Sequence, residues 1–246
     1  MPIWIALSFQ DTTSITIEHI LFFHDHAIII LSLITILTLY IVVSTLFNKS
    51  YNKYIIEGQE IESIWTVLPA LILVFIAIPS LKTLYLIEDT KIPNITIKST
   101  GHQWYWSYEY SSLNEIETDN FIESSNTIRL LKTNEILYLP VSTSIRNIVT
   151  SSDVIHSWAV PAIGVKVDAI PGRLNQIFLF SKRLGLFTGQ CSEICGTNHS
   201  FIPILIWIIR TKETANKIAS ILDFSFRKFN YVKIKMYKSR FLKYLP

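Results

Sequence analysis

AIIILSLITILTLYIVVSTLF, residues 27–47, carries no charged side chain across 21 positions, and SIWTVLPALILVFIAIPSL, residues 63–81, carries none across 19. About 20 apolar residues in helical conformation cross a hydrocarbon core of ~30 Å, so each run is long enough to span a membrane. Buried helices of a soluble protein seldom run this far without a charge. A cleaved signal peptide would be shorter, basic at its start and closed by a small-residue site rather than by a second span. Pro69 and Pro79 fall inside the second run. A bilayer helix tolerates them because neighbouring helices and local adjustment satisfy the freed carbonyls. The two runs therefore make a transmembrane hairpin.

The basic residues orient it. No Lys or Arg precedes Lys49, while Lys49 and Lys53 sit between the runs. An excess of basic residues marks the inner side, although Lys82 on the outer end blunts the signal. The expected organisation is an outer N-terminal segment at 1–26, helices at 27–47 and 63–87, and an inner loop at 48–62. Everything after Leu86 lies outside.

Half of the 246 residues are hydrophobic and 17% are charged, greasier than an ordinary soluble domain. The excess is confined to the two runs. From about Ile92 to Leu222 the pattern alternates, as in PNITIKST (93–100) and QIFLFS (176–181), with the turn signal IPG at 170–172. Short strands at regular spacing predict a β-sandwich or barrel of one domain at 92–222. The tail at 223–246 turns basic, with Arg227, Lys228, Lys233, Lys235, Lys238, Arg240 and Lys243 and no acid after Asp223. Without those seven the overall charge of +3 becomes −4 for residues 1–226. The tail fits a solvated extension best, with a surface helix or a contact with anionic lipid as alternatives. Membrane lipid is an expected partner; nucleic acid is not.

GQCSEICGTNHSFIPI, residues 189–204, holds both cysteines of the chain, Cys191 and Cys195, with His199 four further on. A disulfide closing so small a loop would add little by chain entropy. A nucleophilic cysteine could take His199 or His156 as its base, but no substrate pocket is legible. A metal accounts for more residues at once, because His156 in SSDVIHSWAVPA lies 35 positions earlier, far enough to return from another strand as a fourth ligand. Two thiolates and two imidazoles suit zinc or copper. A copper electron carrier on a β-sandwich, tethered outside a membrane, is the sharper reading.

Six blocks in collinear order resemble subunit 2 of cytochrome c oxidase: LFFHDHA (21–27), EIESIWTVLPA (60–70), GHQWYWSYEY (101–110), DVIHSWAVPA (153–162), DAIPGRLNQ (168–176) and GQCSEICGTNHSF (189–201). The resemblance implies a two-helix transmembrane hairpin followed by an all-β, cupredoxin-like sandwich, in an oxidoreductase of the mitochondrial inner membrane with its copper domain in the intermembrane space and its inner loop in the matrix. Electrons would pass from cytochrome c through a binuclear copper A centre to haem in subunit 1, for reduction of oxygen to water coupled to proton pumping. The oxygen chemistry itself would reside in subunit 1. By match of motif, Cys191 and Cys195 would bridge the coppers, His156 and His199 would each cap one, and the Glu193 carbonyl would ligate one of them. The Glu193 side chain would hold magnesium shared with subunit 1, as suits a hard oxygen ligand. Trp104 would be the electron gate facing the haem edge. Glu109, Glu115, Glu117 and Asp119, with Glu123 beyond, would supply an acidic docking region for a basic carrier. Glu62, where the inner loop meets the second helix, would stand at the entrance of a proton pathway into subunit 1. A membrane-tethered copper chaperone or a zinc-binding structural module is the alternative of another class.

One position departs from the family pattern. Where a methionine thioether is expected as a weak copper ligand, the chain has Ile202. It has 41 Ile against two Met, Met1 and Met236, and Lys outnumbers Arg 15 to 7, as an A+T-rich genome would produce. Several mitochondrial codes read AUA as methionine. Composition therefore favours a sequence translated with AUA as Ile, the other reading being a true substitution.

Overall fold

The computed structural model describes residues 8–50, 52–54, 56–88, 92–110, 117–124 and 129–220. The chain divides into two units: Glu18–Asp89 holds most of the two long helices, and Met1–Ile17 with Thr90–Pro246 holds the strands.

Helix α1 runs Ile15–Phe47 and helix α2 runs Gln59–Glu88. Both begin earlier than the apolar runs suggest. Ser14 caps α1, its Oγ accepting the Ile17 N–H at 3.1 Å, so the helix starts twelve residues before Ala27 and takes in Glu18 and the HDH triplet. The outer segment expected at 1–26 is non-helical only as far as Ser14 among the described residues. The acids Glu60 and Glu62 occupy the first turn of α2, where they complement the positive end of the helix dipole. Within the apolar lengths, hydroxyls fold back on the backbone: Thr35 donates to the Leu31 carbonyl at 2.7 Å, Thr38 to Ile34 at 3.0 Å and Thr83 to the Pro79 carbonyl at 2.9 Å. Such bonds leave no hydroxyl bare in an apolar medium. Ile17 is the one described residue buried on α1, and α2 has none. Core helices of a soluble protein would bury a face. These helices expose their apolar side chains throughout, as helices solvated by lipid do, and the protein is a membrane protein.

The strand unit has β1 (Ile95–His102), β2 (Tyr105–Tyr110), β3 (Glu117–Asn120), β4 (Leu137–Pro140), β5 (Ile145–Ser151), β6 (His156–Val160), β7 (Val165–Ala169), β8 (Asn175–Leu179), β9 (Gly185–Gln190) and β10 (Pro203–Ile209). A five-stranded sheet in the order β3-β2-β1-β5-β8 faces a three-stranded sheet β4-β10-β9, and β6 and β7 form a separate antiparallel ribbon. The alternation read in 93–100 and 176–181 becomes β1 and β8. Strand β5 alternates buried and half-buried residues along its whole length, the signature of one face on the core. Strand β6 is buried at all five positions, HSWAV. Trp106, Tyr108 and Tyr110 on β2 pack with Leu137, Val149, Trp158, Ile204 and Ile206 into one core that also includes both cysteines. The aromatic density of GHQWYWSYEY is thus partly a strand burying one face.

Residues 211–220 add a helix after β10; residues 221–246, which include the basic tail, lie outside the described residues. The N-terminal segment is bound to the strand unit. Ser14 Oγ donates to the Ile163 carbonyl at 2.6 Å, Thr13 and Ser181 share a hydroxyl bond at 2.7 Å, and the Lys182 N–H donates to the Thr13 carbonyl at 2.7 Å. Gly164, at φ 75°, admits Ile17, because a Cβ there would lie 2.7 Å from the Ile17 side chain.

Candidate metal centre

Close packing of β9 on β6 brings the cysteine loop to His156. A Cβ at Gly189 would fall within the van der Waals shell of the Ala159 carbonyl oxygen, so only glycine lets the strands lie this near. The Ser192 N–H then reaches the Ser157 carbonyl at 3.0 Å, and the Cys191 N–H the Ile202 carbonyl at 3.0 Å. Those two bonds fix both ends of the loop, and His156 opens the strand it docks on.

Four side chains form a row. His156 Nδ1 stands 3.8 Å from Cys191 Sγ, Cys191 Sγ 4.0 Å from Cys195 Sγ, and Cys195 Sγ 3.5 Å from His199 Nδ1. Both cysteines are free and buried, and His156 is wholly buried. A 4.0 Å gap is about twice the S–S bond length, so the disulfide reading fails. The ligand atoms of His156, Cys191 and Cys195 all lie within 4.8 Å of one another. His199 is the outlier of the four, half-buried and adjoining Cys195. The row is one of contact order, an imidazole at each end and two sulfurs between, and it is sharply bent at Cys191, since His156 also lies within 4.8 Å of the Cys195 sulfur.

Charge is uneven along the row. Burial would raise the Cys191 thiol, but the His156 imidazole and backbone groups at Glu193 and Ser157 outweigh it and bring it down to about 6. Burial and the charge of Cys191 push the Cys195 thiol up. One proton leaves the pair readily; the second leaves when something positive replaces it. Burial would lower His156, but Cys191 and Asp153 together raise it above its ordinary value. Asp153 stands at the surface; what burial its carboxylate has would raise it, but the His156 imidazole and the Val154 and Gln103 amides hold it below the usual carboxylate range. Among the described residues the site offers two soft sulfurs and two imidazole nitrogens, a donor set that fits copper.

The remaining positions are distributed around this row. The Glu193 carbonyl faces Cys191 Sγ at 3.4 Å, and its side chain is exposed. Ile202 is fully buried in the same core as the two cysteines, a place where a thioether would be sheltered and an isoleucine offers only packing. Trp104, half-buried on the turn between β1 and β2, lies over Gly196, whose Cβ would sit 3.2 Å from the indole Nε1. Glu62 is in the helical unit, exposed in the first turn of α2. Glu117 and Asp119 are exposed on β3, whereas Glu109 is paired with Lys98 at 3.1 Å and Glu123 with Lys132 at 2.7 Å. Two of the five expected acids are therefore already neutralised by neighbours, and Glu115 lies outside the described residues.

Two residues with roles at the site were not singled out from the sequence. Asp153 bonds His156 Nε2 at 2.8 Å, and Gln103 donates from Nε2 to the Cys195 carbonyl at 2.8 Å. A carboxylate three positions before a candidate ligand histidine is the available signal for the first; none exists for the second.

Comparison with known proteins gives a consistent picture. The family described as cytochrome C oxidase subunit II, periplasmic domain, matches residues 95–209, and the transmembrane domain of the same subunit matches residues 2–83. The chain is 54% identical over 211 residues to cytochrome c oxidase subunit 2 of Drosophila subobscura and 53% identical to that of Drosophila melanogaster, covering 84% of this chain and 92% of each relative. The crystal structure of the periplasmic domain of subunit II of cytochrome oxidase from Bradyrhizobium japonicum superposes with a TM-score of 0.54 at 43% identity, covering 55% of this chain and 98% of that one.

Proposed function

The chain belongs to the cytochrome c oxidase subunit II family, and we propose that within it His156, Cys191, Cys195 and His199 hold a binuclear copper centre that receives electrons from cytochrome c. The protein is a subunit of a respiratory terminal oxidase: it passes electrons toward haem in subunit 1, where oxygen is reduced to water in a reaction coupled to proton pumping. The relatives are oxidase subunits, and a chaperone or zinc module finds no support among them. Relatives from Drosophila and the basic inner loop support a place in the mitochondrial inner membrane, with the strand unit in the intermembrane space.

The row of imidazole, thiol, thiol and imidazole carries the proposal. Each end nitrogen has its own neighbouring sulfur, 3.8 Å for His156 and 3.5 Å for His199, so the four side chains would hold two copper ions between them. Copper held by these four side chains would supply one-electron chemistry at this site. The chain's residues do the rest. The fully buried His156 and the loop bonds at Cys191 and Ser192 hold the ligands before and after electron transfer. The Glu193 carbonyl is placed to approach one metal, and its exposed carboxylate is free to reach a magnesium shared with subunit 1. Trp104 gives the carrier an aromatic contact above the site, and Glu117 and Asp119 attract a basic partner, an effect that salt would screen. Glu62 takes up protons on the other face of the membrane. At 202, a methionine in the organism would add a weak axial thioether; peptide mass spectrometry of the native protein decides between methionine and isoleucine.

Stopped-flow mixing of reduced cytochrome c with the metal-loaded chain tests the function. The copper band should bleach at a rate that falls as salt rises, and Cys191→Ser should abolish the band. A chain that binds metal but takes no electron from cytochrome c contradicts the proposal.

A further inference from the structure

The turn carrying Trp104 is tied to His156 and to Cys195 by two side chains. The Gln103 backbone N–H donates to Asp153 Oδ2 at 2.6 Å, and the Gln103 side chain donates to the Cys195 carbonyl at 2.8 Å. Asp153 turns its other oxygen to His156 Nε2 at 2.8 Å. One carboxylate and one amide thus connect the turn to His156 on one side and to Cys195 on the other. Glycines permit the approach. A Cβ at Gly101 would lie 2.9 Å from the His156 ring, and a Cβ at Gly196, at φ 124°, would lie 3.2 Å from the Gln103 amide nitrogen. Trp106 meets the His156 ring edge-on at 5.9 Å.

We propose that Asp153 and Gln103 are positioning residues: Asp153 sets the tautomer and orientation of His156, Gln103 sets the Cys195 peptide, and together they make the Trp104 turn and the metal ligands one rigid body. This rests on the copper reading of the site. A carboxylate accepting from Nε2 keeps the ring proton there and leaves the Nδ1 lone pair facing Cys191, the orientation a metal needs. Without it, packing against Gly101 and Trp106 still holds the ring plane, but nothing selects the nitrogen. Gln103 acts on the peptide that follows Cys195, where the loop turns into Gly196 under the Trp104 indole. Removing its amide frees that peptide to rotate, and the sulfur's Cβ hydrogens rotate with it. Because the same residue gives its backbone N–H to Asp153, movement at either ligand reaches the turn.

The test uses the full chain in detergent, loaded with copper, as wild type and as Asp153→Ala, Asp153→Asn, Gln103→Ala and Glu135→Gln. Chelator competition gives relative affinity, and pulsed EPR gives the couplings of imidazole nitrogens and cysteine Cβ protons. Asp153→Ala should lose about 10–100-fold in copper affinity, the usual effect of removing such a carboxylate, with one imidazole coupling altered. Asp153→Asn, whose amide oxygen still accepts from Nε2, should recover most of the affinity. Gln103→Ala should keep both nitrogen couplings and change the Cβ proton couplings of one cysteine; Glu135→Gln should change nothing. Wild-type affinity and couplings in Asp153→Ala would overturn the proposal, as would equal losses in the Asn and Ala variants. If Asp153→Ala does not fold, Gln103→Ala decides, and unchanged cysteine couplings overturn it. A wild-type chain that takes up one zinc and no copper ends the dicopper reading instead, and the affinity ratios are then read with zinc.

Discussion

Replacing Gly189 by alanine strikes the one contact on which the centre's assembly depends. The new methyl would lie far inside contact distance of the Ala159 carbonyl oxygen, and β9 and β6 would have to part by about 1.5 Å to restore ordinary contact. Overpacking of this kind costs ~1–3 kcal/mol, and stretching the 3.0 Å Ser192–Ser157 bond adds about 1 kcal/mol. A loss near 3 kcal/mol lowers the melting point of a unit this size by about 10 °C. The same displacement carries Cys191 away from His156, its neighbour at 3.8 Å, so copper affinity should fall at least tenfold, about what loss of a supporting contact costs. Gly172→Ala is the comparison. Unlike Gly189 it has a positive φ, 76°, and open space around it, so it should cost only the ~1–2 kcal/mol of a left-handed residue and leave copper affinity alone. Calorimetry of the copper-free chain and chelator competition on the loaded chain measure the two effects. Equal melting points for wild type and Gly189→Ala, or equal copper loss in both variants, would refute the account of how the loop is positioned.

Trp104→Ala should slow electron transfer from cytochrome c far more than it weakens binding, because an aromatic bridge sets coupling while charges set encounter; parallel losses in steady-state binding and transfer rate would make Trp104 a packing residue. Glu62→Gln should slow proton-coupled turnover of the assembled oxidase and leave copper reduction by cytochrome c unchanged, and loss of copper reduction in that variant would point to misfolding. In the metal-free chain the thiolate of Cys191 should form as pH rises through about 6, since its neighbours favour the charged form; alkylation rates followed by mass spectrometry should rise with that midpoint, and a midpoint near 9 would remove the imidazole–thiolate pair from the account.

Local chemistry was legible in the sequence and long-range partnership was not. The charge-free runs marked the parts of α1 and α2 that face lipid, yet Glu18, His24 and Asp25 hid the first turns of α1, whose cap at Ser14 is held from Ile163, 149 residues away. Alternation found β1 and β8. It could not find β6, where every side chain is buried and the period vanishes. The types and spacing of Cys191, Cys195, His199 and His156 pointed to a metal. Which imidazole adjoins which sulfur depends on the packing of β9 against β6, and no spacing encodes it. The acid run around 109–123 read as one patch because Lys98 and Lys132, which pair with Glu109 and Glu123, are brought there by strand pairing and a turn.

The central claim is that two thiols 4.0 Å apart are shared between two metals. EPR with metal analysis on the native, oxidised chain tests it most directly. The account predicts a purple protein with two coppers per chain and one unpaired electron delocalised equally over both. A single localised copper, or a colourless chain with one zinc, would contradict it.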